Sequence, residues 1–143
     1  MTYRVLNSWV MVLLFALLLC AASCSPASEP GAGGNKSGPP VYEGYLDSAD
    51  CNAIVAWGWD MNRPNEPIKF DIYDGNILIA TVTADEFRQD LLAAGKGNGE
   101  HNMVFIIPPK LKDGKKHIIT IKYARTEIEV TGGRREITCD FEW

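Results

Sequence analysis

Four cysteines are the residues of this chain whose positions point most directly to chemistry. Cys20 lies inside an apolar run and Cys24 closes that run, whereas Cys51 and Cys139 bracket the segment that has the pattern of a folded domain. We therefore predict a structural disulfide between Cys51 and Cys139. A disulfide that closes so long a span stabilises a fold by about 2–4 kcal/mol, and it persists only in an oxidising compartment.

Aromatic and polar side chains offer a candidate ligand site. Tryptophan and tyrosine rings can stack on sugar rings when they stay exposed, and neighbouring polar groups then supply hydrogen bonds. The candidates for such a site are Trp59, Asp60, Tyr45, Tyr73 and His101. The alternative is that these side chains only pack or scatter over the surface, and Trp57 is expected in the core.

The two histidines do not predict catalysis or zinc binding. His101 and His117 lie in different segments, and a zinc site would need further ligands from carboxylates. His101 is instead expected to donate a hydrogen bond to nearby backbone. No serine stands in a nucleophile elbow or a comparable context. We therefore expect a protein that is not an enzyme and has neither catalytic residues nor a metal site.

The aspartates leave calcium as an alternative cofactor. Hard cations bind clustered carboxylate and carbonyl oxygens, and six aspartates could contribute: Asp47, Asp50, Asp60, Asp71, Asp74 and Asp85. Their spacing matches no calcium loop, so the first expectation is that the protein has no cofactor. Arg88 is expected to form an ion pair with a carboxylate such as Asp60 or Asp85, which would clamp a helix in place; the alternative is that Arg88 binds substrate.

The charge balance argues against one class of partner. The chain has 14 Lys and Arg residues against 18 Asp and Glu residues, a net charge of -4. Proteins that bind nucleic acids usually carry a basic face. No nucleic-acid partner is therefore expected.

Short alternating segments predict a β-rich domain over residues 41–143. Apolar residues recur at every second position, and turn residues separate the segments. The predicted strands cover residues 41–46, 53–59, 68–73, 77–82, 103–107, 117–123, 126–130 and 136–141. In the second of these, Ala53, Val55, Trp57 and Trp59 share a face that we expect to be buried.

Local signals indicate how these strands are connected. The sequence Asp-Gly-Asn at residues 74–76 predicts a tight turn, so the third and fourth segments should form an antiparallel hairpin. Thr83 and Glu86 fit a capping box, and the run from there to Gly95 predicts a short helix. The predicted fold class is all-β: an immunoglobulin-like antiparallel β-sandwich with one short helical crossing and one disulfide.

The N-terminus has the pattern of an export signal. Residues 9–22 form an uncharged, apolar run that has the length of a signal-peptide core rather than of a membrane span. Residues 19–24, with the sequence LCAASC, resemble the cleavage box of a bacterial lipoprotein. The resemblance implies a signal peptide over residues 1–23, cleavage before Cys24 and lipid attachment to Cys24. The alternatives are an ordinary secretory signal with Cys24 as a free thiol, and an uncleaved membrane anchor.

Residues 24–40 are predicted to form a lipidated, flexible tether. They are rich in Gly, Pro and Ser and contain no large apolar side chain, so they have nothing to bury. A lipid on Cys24 makes the membrane the first expected partner. Ser25 stands where an aspartate would signal retention at the inner membrane, which favours the outer membrane of the bacterial cell envelope.

The order of motifs in the domain resembles a small β-sandwich module of bacterial secreted and surface proteins. The resemblance is carried by GYLD at 44–47, DC at 50–51, WGWD at 57–60, IYDG at 72–75, TADEFRQDL at 83–91, GEH at 99–101, Pro108 with Leu111, Asp113-Gly114 with His117, and TC at 138–139. It implies the fold but no defined activity. Asn102, Met103 and residues 132–135 depart from the pattern, which affects any ligand that those loops would carry.

These observations predict a non-catalytic envelope lipoprotein whose domain binds a glycan or a cell-envelope polymer. The alternative is a protein-interaction module, either a subunit of an envelope assembly or a small enzyme inhibitor. Both functions fit an exported domain with aromatic residues and no cluster of catalytic groups.

Overall fold

The computed structural model describes residues 35–140. The predicted signal peptide, Cys24 and the tether up to residue 34 lie outside the described residues. The elements, in chain order, are β1 (Tyr42–Ala49), β2 (Ala53–Asp60), β3 (Ile68–Asp74), β4 (Ile77–Ala84), β5 (Glu86–Phe87), α1 (Gln89–Ala93), β6 (Glu100–Ile106), a 3-10 turn (Pro109–Leu111), β7 (Lys116–Tyr123) and β8 (Glu129–Thr138).

The eight strands form one sheet in the order β4-β3-β7-β8-β1-β2-β6-β5. Neighbouring strands are antiparallel except β1 and β8, which run parallel where Tyr45 lies opposite Thr131. This pairing joins the half formed by β4, β3, β7 and β8 to the half formed by β1, β2, β6 and β5, so the sheet is barrel-like. The all-β class is confirmed, whereas the two separate sheets of an immunoglobulin-like sandwich are not.

Alternation along β3 and β7 places one face of each strand in the core. Phe70 and Ile72 of β3 and Ile119 and Ile121 of β7 are fully buried, as the sequence predicts. The predicted hairpin of β3 and β4 is also confirmed. Gly75 in its turn has φ +58°, a left-handed conformation that glycine adopts without strain.

Strand β2 presents the opposite face to the core from the one that the sequence predicts. Ile54 and Ala56 are fully buried, whereas Trp57 is half-buried on the outer face. A Cβ at Gly58 would lie 2.6 Å from Cζ of Phe70, so only glycine lets the Phe70 ring pack at this level. The prediction of a buried face through Trp57 is wrong because β2 is apolar on both faces, and alternation alone does not choose between them.

Strand β8 is continuous where the sequence predicts two strands, 126–130 and 136–141. The strand passes through Gly132, which has φ +67°, and Gly133. A Cβ at Gly133 would lie 2.6 Å from Cγ1 of Val130, so a side chain has no room there. The two glycines therefore allow an irregularity in the pairing with β7 instead of ending the strand.

The helical crossing is shorter and begins later than predicted. Helix α1 has five residues, and Arg88 occupies its N-cap position without a side-chain capping bond. Thr83 pairs with Lys69 in the sheet, so the predicted capping box at Thr83 is wrong. Gly95, with φ +73°, ends the helical segment as predicted. Among residues 35–140, no helix has the length and apolar character needed to cross a bilayer.

Cys51 and Cys139 form the predicted disulfide, and their Cα atoms are 5.4 Å apart. The bond ties the turn before β2 to the residue that follows β8. The disulfide therefore restrains the ends of two strands of the sheet that carries the candidate ligand site.

The last residues of the predicted tether lie against the loop between β2 and β3. The backbone nitrogen of Lys36 donates to the oxygen of Asn62 at 2.7 Å, and Nδ2 of Asn62 donates to the oxygen of Pro39 at 2.7 Å. The chain therefore runs along this loop before it enters β1.

Candidate functional site

The outer face of β1, β2 and β6 carries a row of aromatic and polar side chains. The strand register places Tyr45 of β1 opposite Trp57 of β2, and Trp57 opposite Asn102 of β6. Cross-strand neighbours project from the same face of a sheet, so the three side chains form one row. Tyr45 is 44% exposed, Trp57 is half-buried and Asn102 is buried. We call the row of Tyr45, Trp57 and Asn102 the aromatic face.

A second tryptophan on this side is covered by a salt bridge. Nε1 of Trp59 donates to Oε2 of Glu43 at 3.0 Å, and Nζ of Lys96 donates to both oxygens of Glu43 at 2.6 and 2.7 Å. The same ammonium lies 5.7 Å from the ring centre of Trp57 and 5.6 Å from that of Trp59. Trp59 is only 9% exposed, so Trp57 offers a ligand more ring surface than Trp59 does.

The same salt bridge changes the ionisation of Glu43. Hydrogen bonds from Lys96 and, secondly, from Trp59 lower the pKa of the Glu43 carboxyl. Both donors favour the charged form, since a carboxylate accepts hydrogen bonds better than a neutral acid does. Glu43 therefore stays charged beside the aromatic face.

Arg88 organises the polar border of the aromatic face. It donates to Oδ1 and Oδ2 of Asp90 at 3.0 and 2.7 Å, to Oδ1 of Asn102 at 3.2 Å, and to Asp47. Nδ2 of Asn102 donates in turn to Oε2 of Glu86 at 3.1 Å. The hydrogen bonds to Asp90 and Asp47 raise the pKa of Arg88. The network holds the start of α1 against β1 and β6.

This network contains the ion pair of Arg88 that the sequence predicts, but with other partners. The sequence predicts a carboxylate such as Asp60 or Asp85, whereas Arg88 pairs with Asp90 and with Asp47 of β1. Asp60 pairs with Arg63, three residues further along the chain. The physical reason is the late start of α1, which makes Arg88 the N-cap residue at the border of β6 instead of an interior helical residue.

His101 is a fully buried residue of β6. Its Nε2 lies 2.8 Å from the backbone oxygen of Pro64, while its Nδ1 has no hydrogen-bond partner. Burial lowers the pKa of His101, and the hydrogen bond to Pro64 opposes this shift. The neutral ring therefore carries its proton on Nε2 and donates to Pro64, in agreement with the predicted backbone contact. Its ring centre is 6.0 Å from that of Trp59, but the side chain has no exposed surface to offer a ligand.

Asp60 is buried at the end of β2 and holds local backbone. Its Oδ1 accepts hydrogen bonds from the backbone nitrogens of Val41 at 2.9 Å and Asn62 at 3.0 Å. Its Oδ2 lies 2.7 Å from Nη2 of Arg63, an ion pair whose angles do not fit a hydrogen bond. Asp60 therefore fixes the entry of the chain into β1.

Tyr73 lies in the other half of the sheet, away from Tyr45. It borders an open groove of about 250 Å³, which is lined by Tyr73, Gly75, Asn76, Ile118, Thr120, Lys122, Glu127, Glu129 and Arg134. Nζ of Lys122 lies 5.3 Å from the ring centre of Tyr73 and donates to Oε2 of Glu127 at 2.6 Å. The five predicted ligand residues are therefore not gathered in one place: Trp59 lies next to Asp60 in β2 and near His101, whereas Tyr73 lies in the other half of the sheet.

Several aspartates that the sequence offers as calcium ligands pair with neighbouring groups of the protein. Among residues 35–140, no group of three or more His, Cys, Asp or Glu side chains is arranged to hold a metal ion. Asp47 faces Arg88 and Asp60 faces Arg63. Asp74 accepts a hydrogen bond from His117. These aspartates bind neighbouring groups of the protein.

Sequence reasoning missed three residues of the candidate site. Trp57 was assigned to the core because β2 is apolar on both faces. Asn102 and Lys96 have no motif of their own, and they reach the site through strand pairing and through the turn after α1. The one signal in the sequence is Gly58, which lies between Trp57 and Trp59. A glycine at this position leaves room on the inner face of β2 for the ring of Phe70.

No protein-family model, no curated protein and no solved structure matches this chain.

Proposed function

We propose that the protein is a non-catalytic lipoprotein of the bacterial cell envelope whose domain binds a glycan or a cell-envelope polymer through the aromatic face. The observation that carries this proposal is the row of Tyr45, Trp57 and Asn102 across three neighbouring strands. Aromatic rings on a sheet surface stack on the apolar faces of sugar rings. The buried amide of Asn102 bonds to Arg88 and Glu86 and so fixes the polar border beside the rings.

The charged groups around the aromatic face favour a neutral glycan over a polyanion. Lys96 is neutralised by Glu43, with Nζ 2.6 Å from Oε1. Arg88 is neutralised by Asp90 at 2.7 Å and by Asp47. An anionic polymer would have to break these ion pairs before it could form a charge-assisted contact with Lys96 or Arg88. Sugar hydroxyls, in contrast, can donate hydrogen bonds to the carboxylate oxygens of the intact pairs.

The test is binding of residues 24–143 to a panel of neutral glycans and cell-wall polymers, with and without calcium. Trp57→Ala is expected to weaken a saturable interaction by about tenfold, equivalent to about 1.4 kcal/mol. Tyr73→Ala is the matched control, because it removes an aromatic side chain from the other half of the sheet. Equal weakening by both substitutions, or no saturable binding to any polymer, would contradict the proposal.

The proposed location rests on the N-terminal pattern. A lipid on Cys24 would hold the domain at the membrane, with residues 25–34 as the connection to the described part of the chain. The disulfide is consistent with export, because such bonds persist in oxidising compartments. Ser25 favours the outer membrane over the inner membrane, and the acidic composition supports a function that does not involve nucleic acid.

A second candidate is a protein-interaction module, either a subunit of an envelope assembly or an enzyme inhibitor. It is favoured by β4, which ends the sheet order, pairs only with β3 and has no charged residue. Ile77 is 69% exposed and Leu78 is 50% exposed on this strand. An uncharged edge strand can accept a strand of a partner protein. Leu78→Lys should then abolish crosslinking to an envelope protein, while Ile128→Lys, a change in an exposed turn, should not.

A further inference from the structure

An open cleft lies where the loop after β2, strand β3 and the turn after β7 meet. Its volume is about 330 Å³, and it is lined by Tyr42, Asp60, Arg63, Pro67, Ile68, Lys69, Ala124 and Arg125. The backbone nitrogen of Ala124 donates to the oxygen of Lys69 at 2.9 Å, so the turn and β3 are held together at the cleft. Of the predicted ligand residues, only Asp60 borders it. We call it the basic cleft.

Cations outnumber carboxylates in the lining of the basic cleft. The cations are Arg63, Lys69 and Arg125, which lie in a loop, a strand and a turn. Asp60 is the only carboxylate among the residues that line the cleft. Asp60 is already paired with Arg63 at 2.7 Å. Lys69 and Arg125 form no ion pair within residues 35–140. Two uncompensated cations therefore border one cleft in a protein that is acidic as a whole.

The backbone of Arg125 is held in a conformation that its side chain disfavours. Its φ is +61°, and it is the only residue other than glycine with a positive φ in the described part of the chain. The backbone nitrogen of Arg125 donates to Oδ2 of Asp71 at 2.9 Å, and Asp71 is a buried residue whose Oδ1 also accepts from Thr81. The left-handed conformation is unfavourable for arginine because its Cβ comes too close to the following carbonyl oxygen. Such strain persists where the surrounding structure enforces it, often at ligand sites.

We propose that the basic cleft binds a phosphate group. A phosphate has several oxygens directed to different sides, and it can therefore be reached by separate cations of a loop, a strand and a turn. A carboxylate is planar and is satisfied by one guanidinium fork. Lys69 and Arg125 supply the free positive charge, and Arg63 supplies the third donor group beside its pair with Asp60.

The phosphate can belong to a soluble phosphate ester or to a lipid headgroup. Oδ1 of Asp60 accepts a hydrogen bond from the backbone nitrogen of Val41, so the basic cleft borders the point where the chain enters β1. The aromatic face lies on β1, β2 and β6, and none of its residues lines the basic cleft.

The first experiment measures binding of inorganic phosphate to residues 24–143 by NMR, with Cys24→Ser so that no lipid contributes. We expect saturable shifts in residues 61–69 and 124–126, and acetate should bind far more weakly than phosphate. Lys69→Gln should weaken phosphate binding by about tenfold, as loss of a charge-assisted contact does. Lys110→Gln removes the same charge at an exposed position outside the cleft and should leave binding unchanged.

A second variant separates binding from folding. Arg125→Gly removes the side chain and also relieves the backbone strain, so it should weaken phosphate binding without lowering the melting temperature. Loss of binding accompanied by a lower melting temperature would mean that Arg125 is there for the fold. The proposal would be overturned by that result, by equal weakening of phosphate binding in Lys69→Gln and Lys110→Gln, or by acetate binding as tight as phosphate binding.

Vesicles identify the source of the phosphate. The same protein is mixed with vesicles of phosphatidylglycerol or of phosphatidylcholine, and sedimentation measures the bound fraction. Binding to phosphatidylglycerol that Lys69→Gln abolishes supports a lipid headgroup as the ligand. Saturable binding of inorganic phosphate without binding to vesicles supports a soluble phosphate ester. Absence of both overturns the proposal.

Discussion

Cys51 and Cys139 are bonded to each other, with Cα atoms 5.4 Å apart, although 88 positions separate them in the chain. The pairing of β1 with β8 explains how they meet. The two strands run parallel, so their C-terminal ends lie at the same end of the sheet, and each cysteine follows shortly after one of these ends. The disulfide therefore links the ends of β1 and β8, the two strands that pair in parallel.

Removal of the disulfide should destabilise the domain. The double variant Cys51→Ala, Cys139→Ala loses the restraint on the unfolded chain, and we expect the free energy of unfolding to fall by about 2–4 kcal/mol. Thermal and urea denaturation measure the change. A titration of the unreduced protein that finds both thiols free would contradict the bond itself.

A methyl group at Gly133 should be far more disruptive than one at Gly75. At Gly133 a Cβ would lie 2.7 Å from the backbone oxygen of Val130 and 2.9 Å from that of Ile121, neither of which can move without displacing the sheet. At Gly75 the cost is conformational only, about 1–2 kcal/mol, because φ is +58° and nothing lies within 4 Å. Urea denaturation of Gly133→Ala and Gly75→Ala compares them, and equal losses would show that β8 can shift.

The salt bridge of Glu43 should make stability depend on acid pH. The pKa of Glu43 is lowered in the folded state by Lys96 and Trp59. Its contribution is therefore present above the unfolded pKa and is lost as the pH falls through the folded pKa. The stability difference between wild type and Glu43→Gln should be largest near about pH 7 and should shrink as the pH falls below the usual range of a glutamate carboxyl, about pH 4. A difference that stays constant over this range would exclude the linkage.

His117 should have the opposite pH dependence. Its Nδ1 lies 2.7 Å from Oδ2 of Asp74 and its Nε2 lies 3.0 Å from Oδ1 of Asp113, and these contacts, with that to Asp74 the largest, raise the pKa of His117. Its contribution is fully present below the unfolded pKa and is lost as the pH rises through the folded pKa.

The comparison of wild type with His117→Gln tests this dependence. The wild type should exceed the variant in stability more at about pH 5 than at about pH 9. An NMR titration of the His117 ring should give a pKa above that of a free histidine and closer to it in Asp74→Asn. A ring that titrates normally in the wild type would rule out the raised pKa.

Cys24 should be the site of maturation. Cys24→Ala removes the thiol that the predicted cleavage box requires, so the precursor should keep residues 1–23 when it is produced in a bacterium. Mass spectrometry of the membrane fraction measures the length of the chain and the acyl mass on Cys24 in the wild type. A mature wild-type chain without acyl mass would contradict the lipid anchor.

The sequence alone was sufficient where one face of a strand is polar or where a residue has only one plausible partner. The hairpin of β3 and β4 follows from the Asp-Gly-Asn turn between them, and the buried face of β7 follows from apolar residues at every second position, Ile119, Ile121 and Tyr123. The disulfide follows because Cys20 lies in the predicted signal peptide and Cys24 is the predicted lipidation site, which leaves Cys51 and Cys139 to each other. These inferences required no knowledge of the packing.

Only the tertiary structure decided the rest. Strand β2 is apolar on both faces, so its orientation depends on the Phe70 ring, which fills the space left by Gly58. Arg88 had several carboxylates within reach along the chain, and the late start of α1 selected Asp90 and Asp47. A period of two specifies which residues share a face, but the neighbouring strands determine which face is buried. The aromatic face and the basic cleft are therefore products of strand pairing.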